Sequence, residues 1–214
     1  MTKKTLNQNA KYVQKLIDTI EPDFIYSNKP INRFEIEKNL DTNNKQNKDT
    51  QLSDLKRRIN SIENCKLKIG SKSLILGNGN FNSSIMLIGE APGELEETSG
   101  LSFQGEVGDL LNKMLLAINV KRENIYSTYS INFRPPEDRK PNRQEIKRYS
   151  VFLKEHIKII NPRVIILMGS TAMEAVTGLN SKISAERGNW KEIILDNITF
   201  PVIITYSPSY LIRF

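Results

Sequence analysis

Short apolar runs alternate with amphipathic stretches through the last two thirds of the chain. The apolar runs predict five strands, which cover residues 85–88, 125–131, 163–169, 192–195 and 199–206. Between them, apolar residues recur at helical spacing in Val107–Leu116, and Ser170-Thr171 begins another short helix. Strands separated by helices favour a mainly parallel sheet with helices on both faces. The predicted fold class is therefore α/β, a three-layer α/β/α sandwich.

The first third of the chain has a different pattern. Residues 8–20 place apolar side chains at spacings of three and four, which predicts an amphipathic helix. Residues 27–51 are rich in Asn, Lys, Asp and Gln, and we interpret them as a linker because they carry little apolar surface to bury. A second helix is predicted over Ser53–Cys65.

A loop and a helix are expected between the second and third predicted strands. Three prolines in Asn132–Pro141 exclude regular structure there. Asn142, with Glu145 three residues later, predicts a capping box that starts a helix running to about Ile160. The chain's single histidine, His156, lies in this helix among charged residues, so we expect it to face solvent and not to act as a catalytic base.

Composition excludes several classes of protein. No segment approaches the roughly 18 apolar residues of a membrane span, and residues 1–7 lack the apolar run of a secretory signal. The single cysteine, Cys65, excludes an internal disulfide framework and is expected to be a small buried apolar residue. A cytoplasmic protein is the expectation.

The net charge of +7 is unevenly distributed. Residues 1–82 carry 15 Lys and Arg against 9 Asp and Glu, whereas residues 83–214 carry 16 against 15. The excess basic charge therefore lies outside the predicted sheet. It is compatible with nucleic-acid binding and equally with a solubilising arm.

Candidate chemistry lies in the turn after the first predicted strand, Gly89–Glu97, together with Gly100–Gly105. Glycine and proline allow the backbone to turn sharply at the carboxyl edge of the sheet, where α/β folds bind ligands. Glu90 and Glu96 supply acid/base groups beside that backbone, so we place the active site here. The alternative is a solvated acidic turn at a helix N-terminus.

Four blocks in order resemble the family-four uracil-DNA glycosylases. They are Gly89–Gly105, the Arg134-Pro135-Pro136 loop, the strand from Pro162 to Gly169, and Tyr206–Arg213. The resemblance covers residues 62–214. It implies a uracil-DNA glycosylase-like domain over residues 51–214, preceded by a basic, helical or disordered extension over residues 1–50. It also implies hydrolysis of the N-glycosidic bond of deoxyuridine in DNA, with the target base flipped into a pocket.

The resemblance also implies roles for individual residues. Phe103 would stack on the uracil, the backbone of Glu90, Ala91 and Pro92 would line the base, and Glu90 or Glu96 would position or activate water. Other residues would press on the DNA backbone and fill the vacated stack. They are Arg134, Ser207, Pro208, Ser209 and Arg213.

The sequence departs from the family pattern at several positions. The family's four cysteine ligands of an iron–sulfur cluster align with Ile62, Cys65, Phe133 and Tyr149, so only one thiolate remains and we expect no cluster and no metal. Apolar and aromatic packing is expected to replace it.

Further departures concern the site itself. Tyr129 replaces the asparagine that reads uracil, and Ser207 replaces a histidine. Tyr129 is either a substrate-binding residue or a packed core aromatic. Ser102 stands where the family carries a proline, so we expect Phe103 to be held less rigidly. The family continues past Arg213 into another helix, whereas this sequence stops at Phe214.

The function predicted is uracil-DNA glycosylase activity in base excision repair, weakened by the replacements at Tyr129 and Ser207, from a monomer that acts on uracil-containing DNA. The alternative is a catalytically degenerate relative that binds DNA or abasic sites. An unrelated nucleotide-binding α/β protein is disfavoured, since neither Gly-x-x-x-x-Gly-Lys-Ser/Thr nor Gly-x-Gly-x-x-Gly occurs.

Overall fold

The computed structural model describes residues 33–213, with side chains described from residue 47 onward. The α-helices are α1 (Arg33–Asn60), α2 (Lys66–Gly70), α3 (Glu94–Ser99), α4 (Gly105–Ala117), α5 (Arg143–Ile160), α6 (Ser170–Thr177), α7 (Ile183–Glu186) and α8 (Pro208–Arg213). The strands are β1 (Asn78–Gly79), β2 (Ile85–Gly89), β3 (Tyr126–Tyr129), β4 (Val164–Met168), β5 (Trp190–Leu195) and β6 (Ile198–Thr205). All five predicted strands are present, and the described residues add the short β1.

The six strands form one sheet in the order β1-β3-β2-β4-β6-β5. The four central strands run parallel, while β1 and β5 pair antiparallel at the two edges. The carboxyl ends of β2 and β4 are therefore neighbours. The turns that follow them, at Glu90 and at Gly169, meet at one edge of the sheet.

Apolar side chains on the two faces of the sheet enter separate cores. Met86 and Ile88 of β2 point into a core formed with α1, α5 and α6, whereas Leu87 points to the opposite face, which packs against Leu111 and Leu115 of α4. Alternation of this kind is what a strand covered on both faces requires. The predicted three-layer α/β/α sandwich is confirmed.

The N-terminal helix departs from the sequence prediction. Residues 33–51, which we interpreted as a linker, belong to the continuous helix α1. That interpretation was wrong because it weighed apolar content alone, although Arg33–Asn60 contains neither proline nor glycine to interrupt a helix. Leu52, Leu55 and Ile59 supply its buried stripe. The helix predicted over residues 8–20 lies outside the described residues.

Helix α5 begins as predicted, but one of its residues does not lie where we expected. Asn142 and Glu145 form the capping box, with the Asn142 side chain accepting a hydrogen bond from the Glu145 backbone N–H. His156 is buried, and its Nε2 lies 2.9 Å from the Tyr126 hydroxyl. The prediction that it faces solvent was wrong, since His156 follows Tyr149 and Leu153 at helical spacing and so shares their buried face.

In the described residues, no helix combines the length and the apolar character that crossing a membrane requires.

The buried His156 predicts a pH dependence of stability. Burial lowers the pKa of the imidazole from 6.5 to about 3. Below about pH 6.5 the unfolded chain therefore binds a proton that the folded chain does not, and stability falls by up to about 1.4 kcal/mol per pH unit as the pH drops. Urea unfolding between about pH 7.5 and about pH 5 measures this slope.

The control is His156→Gln, which keeps a hydrogen-bonding group near Tyr126 but cannot titrate. Because the chain has one histidine, the slope near neutral pH is expected to flatten in this variant. Equal slopes in both proteins would contradict the assignment.

Candidate active site

A cavity of about 620 Å³ opens at the carboxyl edge of the sheet. Most of the residues predicted for the site line it: Glu90, Ala91, Pro92, Glu96, Phe103, Tyr129, Ser207, Pro208, Ser209 and Arg213. Gly89, Gly93 and Pro135, which belong to two of the blocks singled out in the sequence, line it as well. No role was predicted for the remaining lining residues: Val107, Asp138, Arg139, Lys140, Pro141, Ser170 and Thr171. The cavity has the size of a small-molecule site.

Glu90 lies at the end of β2, partly exposed, beside the start of α6. Its Oε1 accepts a hydrogen bond from the Thr171 backbone N–H at 3.0 Å and lies 3.4 Å from the Ser170 hydroxyl. Its Oε2 accepts no hydrogen bond from the described part of the chain. One carboxylate oxygen is thus held by protein while the other is available to a water or a substrate.

Glu96 is bound differently, although it lines the same cavity. It is buried, with Oε2 accepting from the Gly93 N–H and Oε1 accepting from the Gln104 N–H, both at 2.9 Å. The first of these bonds is half of a capping box at the start of α3. Glu96 therefore connects the two ends of the loop between β2 and α4.

Phe103 and Tyr129 form a packed aromatic pair at the inner end of the cavity. Their ring centroids are 4.9 Å apart, and Gly89 lies so close that an added Cβ would be 2.8 Å from both rings. The Phe103 N–H donates to the Tyr129 hydroxyl at 2.8 Å. Phe103 has φ of 54°, an uncommon value for a residue other than glycine, so this hydrogen bond fixes a strained backbone position.

The environment of Tyr129 keeps its phenol neutral. Burial, and secondarily the neighbouring Glu96 carboxylate, raise its pKa well above the ordinary value. Both interpretations of Tyr129 are compatible with its position, since it is buried among core residues and also lines the cavity.

Ser102 anchors the backbone before Phe103 through hydrogen bonds. Its N–H and its hydroxyl both donate to Asn78 Oδ1, at 2.7 and 2.5 Å, and the hydroxyl lies 2.6 Å from that of Ser127. We expected a looser Phe103 here because a proline is missing. The contacts show that Ser102 is fully buried and bound on both its backbone and its side chain.

Arg134 does not line the cavity. Its guanidinium makes two hydrogen bonds to Asp138, at 2.7 and 2.9 Å, and lies 3.4 Å from Glu97 and 3.6 Å from Glu94. Hydrogen bonding to Asp138 is the main cause that raises its pKa above the ordinary value. From the same loop, Lys140 lines the cavity instead, a position that no spacing rule in the sequence indicated.

A second cluster, formed by Ile62, Cys65, Phe133 and Tyr149, lies away from the cavity, where the segment between α1 and α2 meets α5. The Cys65 thiol lies 3.2 Å from the Tyr149 hydroxyl, and the rings of Phe133 and Tyr149 meet edge to face with centroids 6.3 Å apart. Ile62 is partly buried against the core that contains Cys65, Phe133 and Tyr149. Cys65 is buried, as predicted.

Comparison with known proteins assigns the family. The model of the uracil DNA glycosylase superfamily matches residues 76–214. The chain is 34% identical over 157 residues to the type-4 uracil-DNA glycosylase of Thermotoga maritima, covering 73% of this chain and 80% of that protein. The type-4 enzyme of Archaeoglobus fulgidus is 32% identical over 162 residues, covering 74% and 81%, and that of Pyrobaculum aerophilum is 30% identical over 166 residues, covering 76% and 85%.

The chain belongs to the type-4 family of the uracil-DNA glycosylase superfamily.

The side chains present do not fit the iron–sulfur cluster that the family resemblance implies. Such a cluster needs four thiolates, but the four positions hold Ile62, Cys65, Phe133 and Tyr149. The three residues other than Cys65 supply no thiolate, and the Tyr149 phenol is held neutral because burial raises its pKa. Among the described residues, no group of three or more His, Cys, Asp and Glu is arranged to hold a metal ion.

The hydrogen bond from Phe103 predicts the effect of Tyr129→Phe. Removal of the hydroxyl leaves the buried Phe103 N–H without an acceptor, which costs about 1–3 kcal/mol of unfolding free energy. Chemical unfolding measures the loss. The control is Tyr206→Phe, which removes a hydroxyl without a hydrogen-bond partner among the described residues and is expected to change stability little. Equal stability of the two variants would contradict the role of the hydroxyl.

Proposed function

We propose that this protein is a uracil-DNA glycosylase that hydrolyses the N-glycosidic bond of deoxyuridine in DNA. The observation that supports it most directly is a single cavity lined by Glu90, by Phe103 and by residues of the C-terminal Ser207–Arg213 segment. Glu90 has one carboxylate oxygen free to face a substrate there. The type-4 relatives carry this activity in their names. A cavity of this size accommodates a base that has left the DNA stack.

Glu90 is the residue best placed to act on water. Its Oε1 is fixed by the Thr171 N–H, so its Oε2 can orient a water against the sugar carbon. The negative charge of the same carboxylate also stabilises the positive charge that develops on the oxocarbenium-like sugar. We predicted Glu96 as catalytic as well. Its two oxygens are already bound by backbone N–H groups, which favours a role in shaping the loop.

The departing base needs hydrogen-bond donors for its negative charge. Ser207 lines the cavity, and its Oγ accepts from the Tyr210 N–H at 3.2 Å, which leaves its own proton free to donate to Ser209 or to a base. A neutral hydroxyl is a weaker donor than a cationic imidazole. Activity below that of relatives with histidine at this position follows from this difference.

Basic side chains at the cavity suit the DNA backbone. Lys140 and Arg213 are exposed and line the cavity, where they can contact phosphates without reading sequence. Arg139 lines it too, but its guanidinium makes two hydrogen bonds to the Glu145 carboxylate. The predicted DNA contact of Arg134 would require its guanidinium to leave three carboxylates, so we assign Arg134 to holding the loop. Ser207, Pro208 and Ser209 line the same cavity, and we keep a DNA contact as their proposed role.

The proposed enzyme works without an iron–sulfur cluster. The contacts of Cys65, Phe133 and Tyr149 connect the segments that the cluster would otherwise join. The cytoplasmic location and the monomeric state stay predictions.

Loss of the Glu90 carboxylate tests the mechanism. Glu90→Gln keeps an acceptor for the Thr171 N–H but removes the charge, so we expect uracil release to fall by about 10²- to 10⁴-fold with little change in stability. The assay is a gel measurement on single- and double-stranded uracil-containing oligonucleotides, with alkali cleavage of abasic sites. A thymine-containing oligonucleotide is the substrate control.

Glu96→Gln is the matched variant. Its amide has one acceptor oxygen for two backbone donors, so the melting temperature is expected to fall together with activity. A stable but inactive Glu96→Gln would instead support the catalytic role. If the wild-type protein binds the uracil-containing DNA tightly and releases no base, the degenerate DNA-binding alternative is correct.

The absence of a cluster predicts a colourless protein. We expect no visible iron–sulfur absorbance and no bound iron after anaerobic expression and anaerobic reconstitution, because three of the four ligand positions offer no thiolate. A type-4 relative with four cysteines, treated identically, is the positive control. A brown protein with stoichiometric iron would overturn this part of the proposal.

A further inference from the structure

Gly169 makes room for the Glu90 side chain. Glycine here has φ of +102°, and a Cβ added to it would lie 2.4 Å from Cδ and 2.5 Å from Cγ of Glu90. Since β2 and β4 are adjacent parallel strands, Gly169 follows β4 beside the point where Glu90 follows β2. The Glu90 carboxyl group therefore lies directly over the backbone of this glycine.

The start of α6 binds the same carboxylate. Gly169 is the N-cap residue and has no side chain to accept from the free N–H groups of the first turn. Glu90 Oε1 accepts from the Thr171 N–H in its place, with the Ser170 hydroxyl 3.4 Å away. Helix α6 is thus capped by a glutamate from a neighbouring strand, and the helix dipole favours that negative charge.

Lys140 extends this arrangement to the proline-rich loop. Its ammonium group donates to the Ser170 Oγ at 2.8 Å, so the hydroxyl is positioned between a cation and the carboxylate. Lys140 is exposed and lines the cavity. A chain of contacts therefore runs from Lys140 through Ser170 to Glu90.

We propose that Gly169, Ser170 and Lys140 are positioning residues that hold the Glu90 carboxylate in its reactive orientation. This inference rests on the proposed function, because it assumes that Glu90 acts on the water. With Oε1 held by α6 and by Ser170, the side chain presents Oε2 to the cavity in one orientation. Misplacement of such a group by about 1 Å costs about 10²-fold in rate.

The first test replaces Ser170 and measures kcat and KM on a uracil-containing duplex oligonucleotide. Ser170→Ala is expected to lower kcat about tenfold or more while KM changes less than about twofold, since the hydroxyl positions Glu90 and does not bind DNA. Ser170→Thr, which keeps the hydroxyl, is expected to restore kcat. Ser150→Ala on α5, away from the cavity, is the matched control.

Lys140 is tested against an exposed lysine that does not line the cavity. Lys140→Ala is expected to lower kcat at both low and raised salt. Lys147→Ala removes the same charge and is expected to leave kcat unchanged. If Lys140 serves only as a phosphate contact, its loss raises KM, flattens the salt dependence of binding and leaves kcat unchanged. That result would remove Lys140 from the proposal.

A stability cycle tests the contact without any activity measurement. Gly169→Ala is expected to lower the melting temperature through backbone strain and through overlap with Glu90. In the Glu90→Ala background the overlap disappears, so the same substitution is expected to cost less. Because the backbone strain is common to both backgrounds, the difference reports the contact with Glu90.

The outcomes separate the two proposals. Coupling in the stability cycle together with a kcat loss in Ser170→Ala supports the positioning role. Additive stabilities, or an unchanged kcat in Ser170→Ala, overturn it. A folded wild-type protein that releases no uracil defeats the proposed function instead, and the cycle still decides whether Gly169 and Glu90 are in contact as described.

Discussion

Backbone N–H groups bound by glutamate oxygens fix the shape of the loop on which the candidate site is built. Glu96 accepts from Gly93 and Gln104, and so joins the two ends of the loop that carries Phe103. Glu97 accepts from the Ser71 hydroxyl and the Lys72 N–H, and so ties α3 to the segment before β1. Glu90 accepts from the Thr171 N–H and so ties the end of β2 to the start of α6. Buried backbone donors must be satisfied, and carboxylates form the stronger class of hydrogen bond.

This constraint explains why an acidic turn is compatible with the proposed DNA-binding face. A cluster of carboxylates at a site for a polyanion is unfavourable unless their charges are compensated locally. Glu97 is paired with Arg134, Glu96 faces two backbone dipoles, and Glu90 lies at the positive end of α6. Under the proposed function, Lys140 and Arg213 then supply positive charge for the nucleic acid.

The sequence predicted the sheet, and most of the residues proposed for the site line one cavity, because both depend on local patterns. Apolar runs identified the central strands, and the position of Glu90 after the first of them placed it at the carboxyl edge. Two predictions were wrong, for different reasons. The linker was judged by its low apolar content alone, although no proline or glycine interrupts the helix there. His156 was judged by the charges beside it in sequence, without knowledge of Tyr126, its hydrogen-bond partner in the core. Ser170 and Lys140 are brought to Glu90 only by strand order and loop path.

The cluster around Tyr149 connects the apolar core to the proline-rich loop beside the candidate site. Tyr149 contacts Cys65 before α2 and Phe133 after β3, so three segments far apart in sequence are joined at one aromatic side chain. Phe133 directly precedes Arg134, whose carboxylate partners hold the proline-rich loop against α3. Lys140 lies at the far end of that loop and reaches Ser170. Under the proposed positioning role of Lys140 and Ser170, the orientation of Glu90 therefore depends on a cluster that is held by apolar and aromatic packing. Loosening this cluster is expected to affect the site through the loop, even though none of its residues lines the cavity.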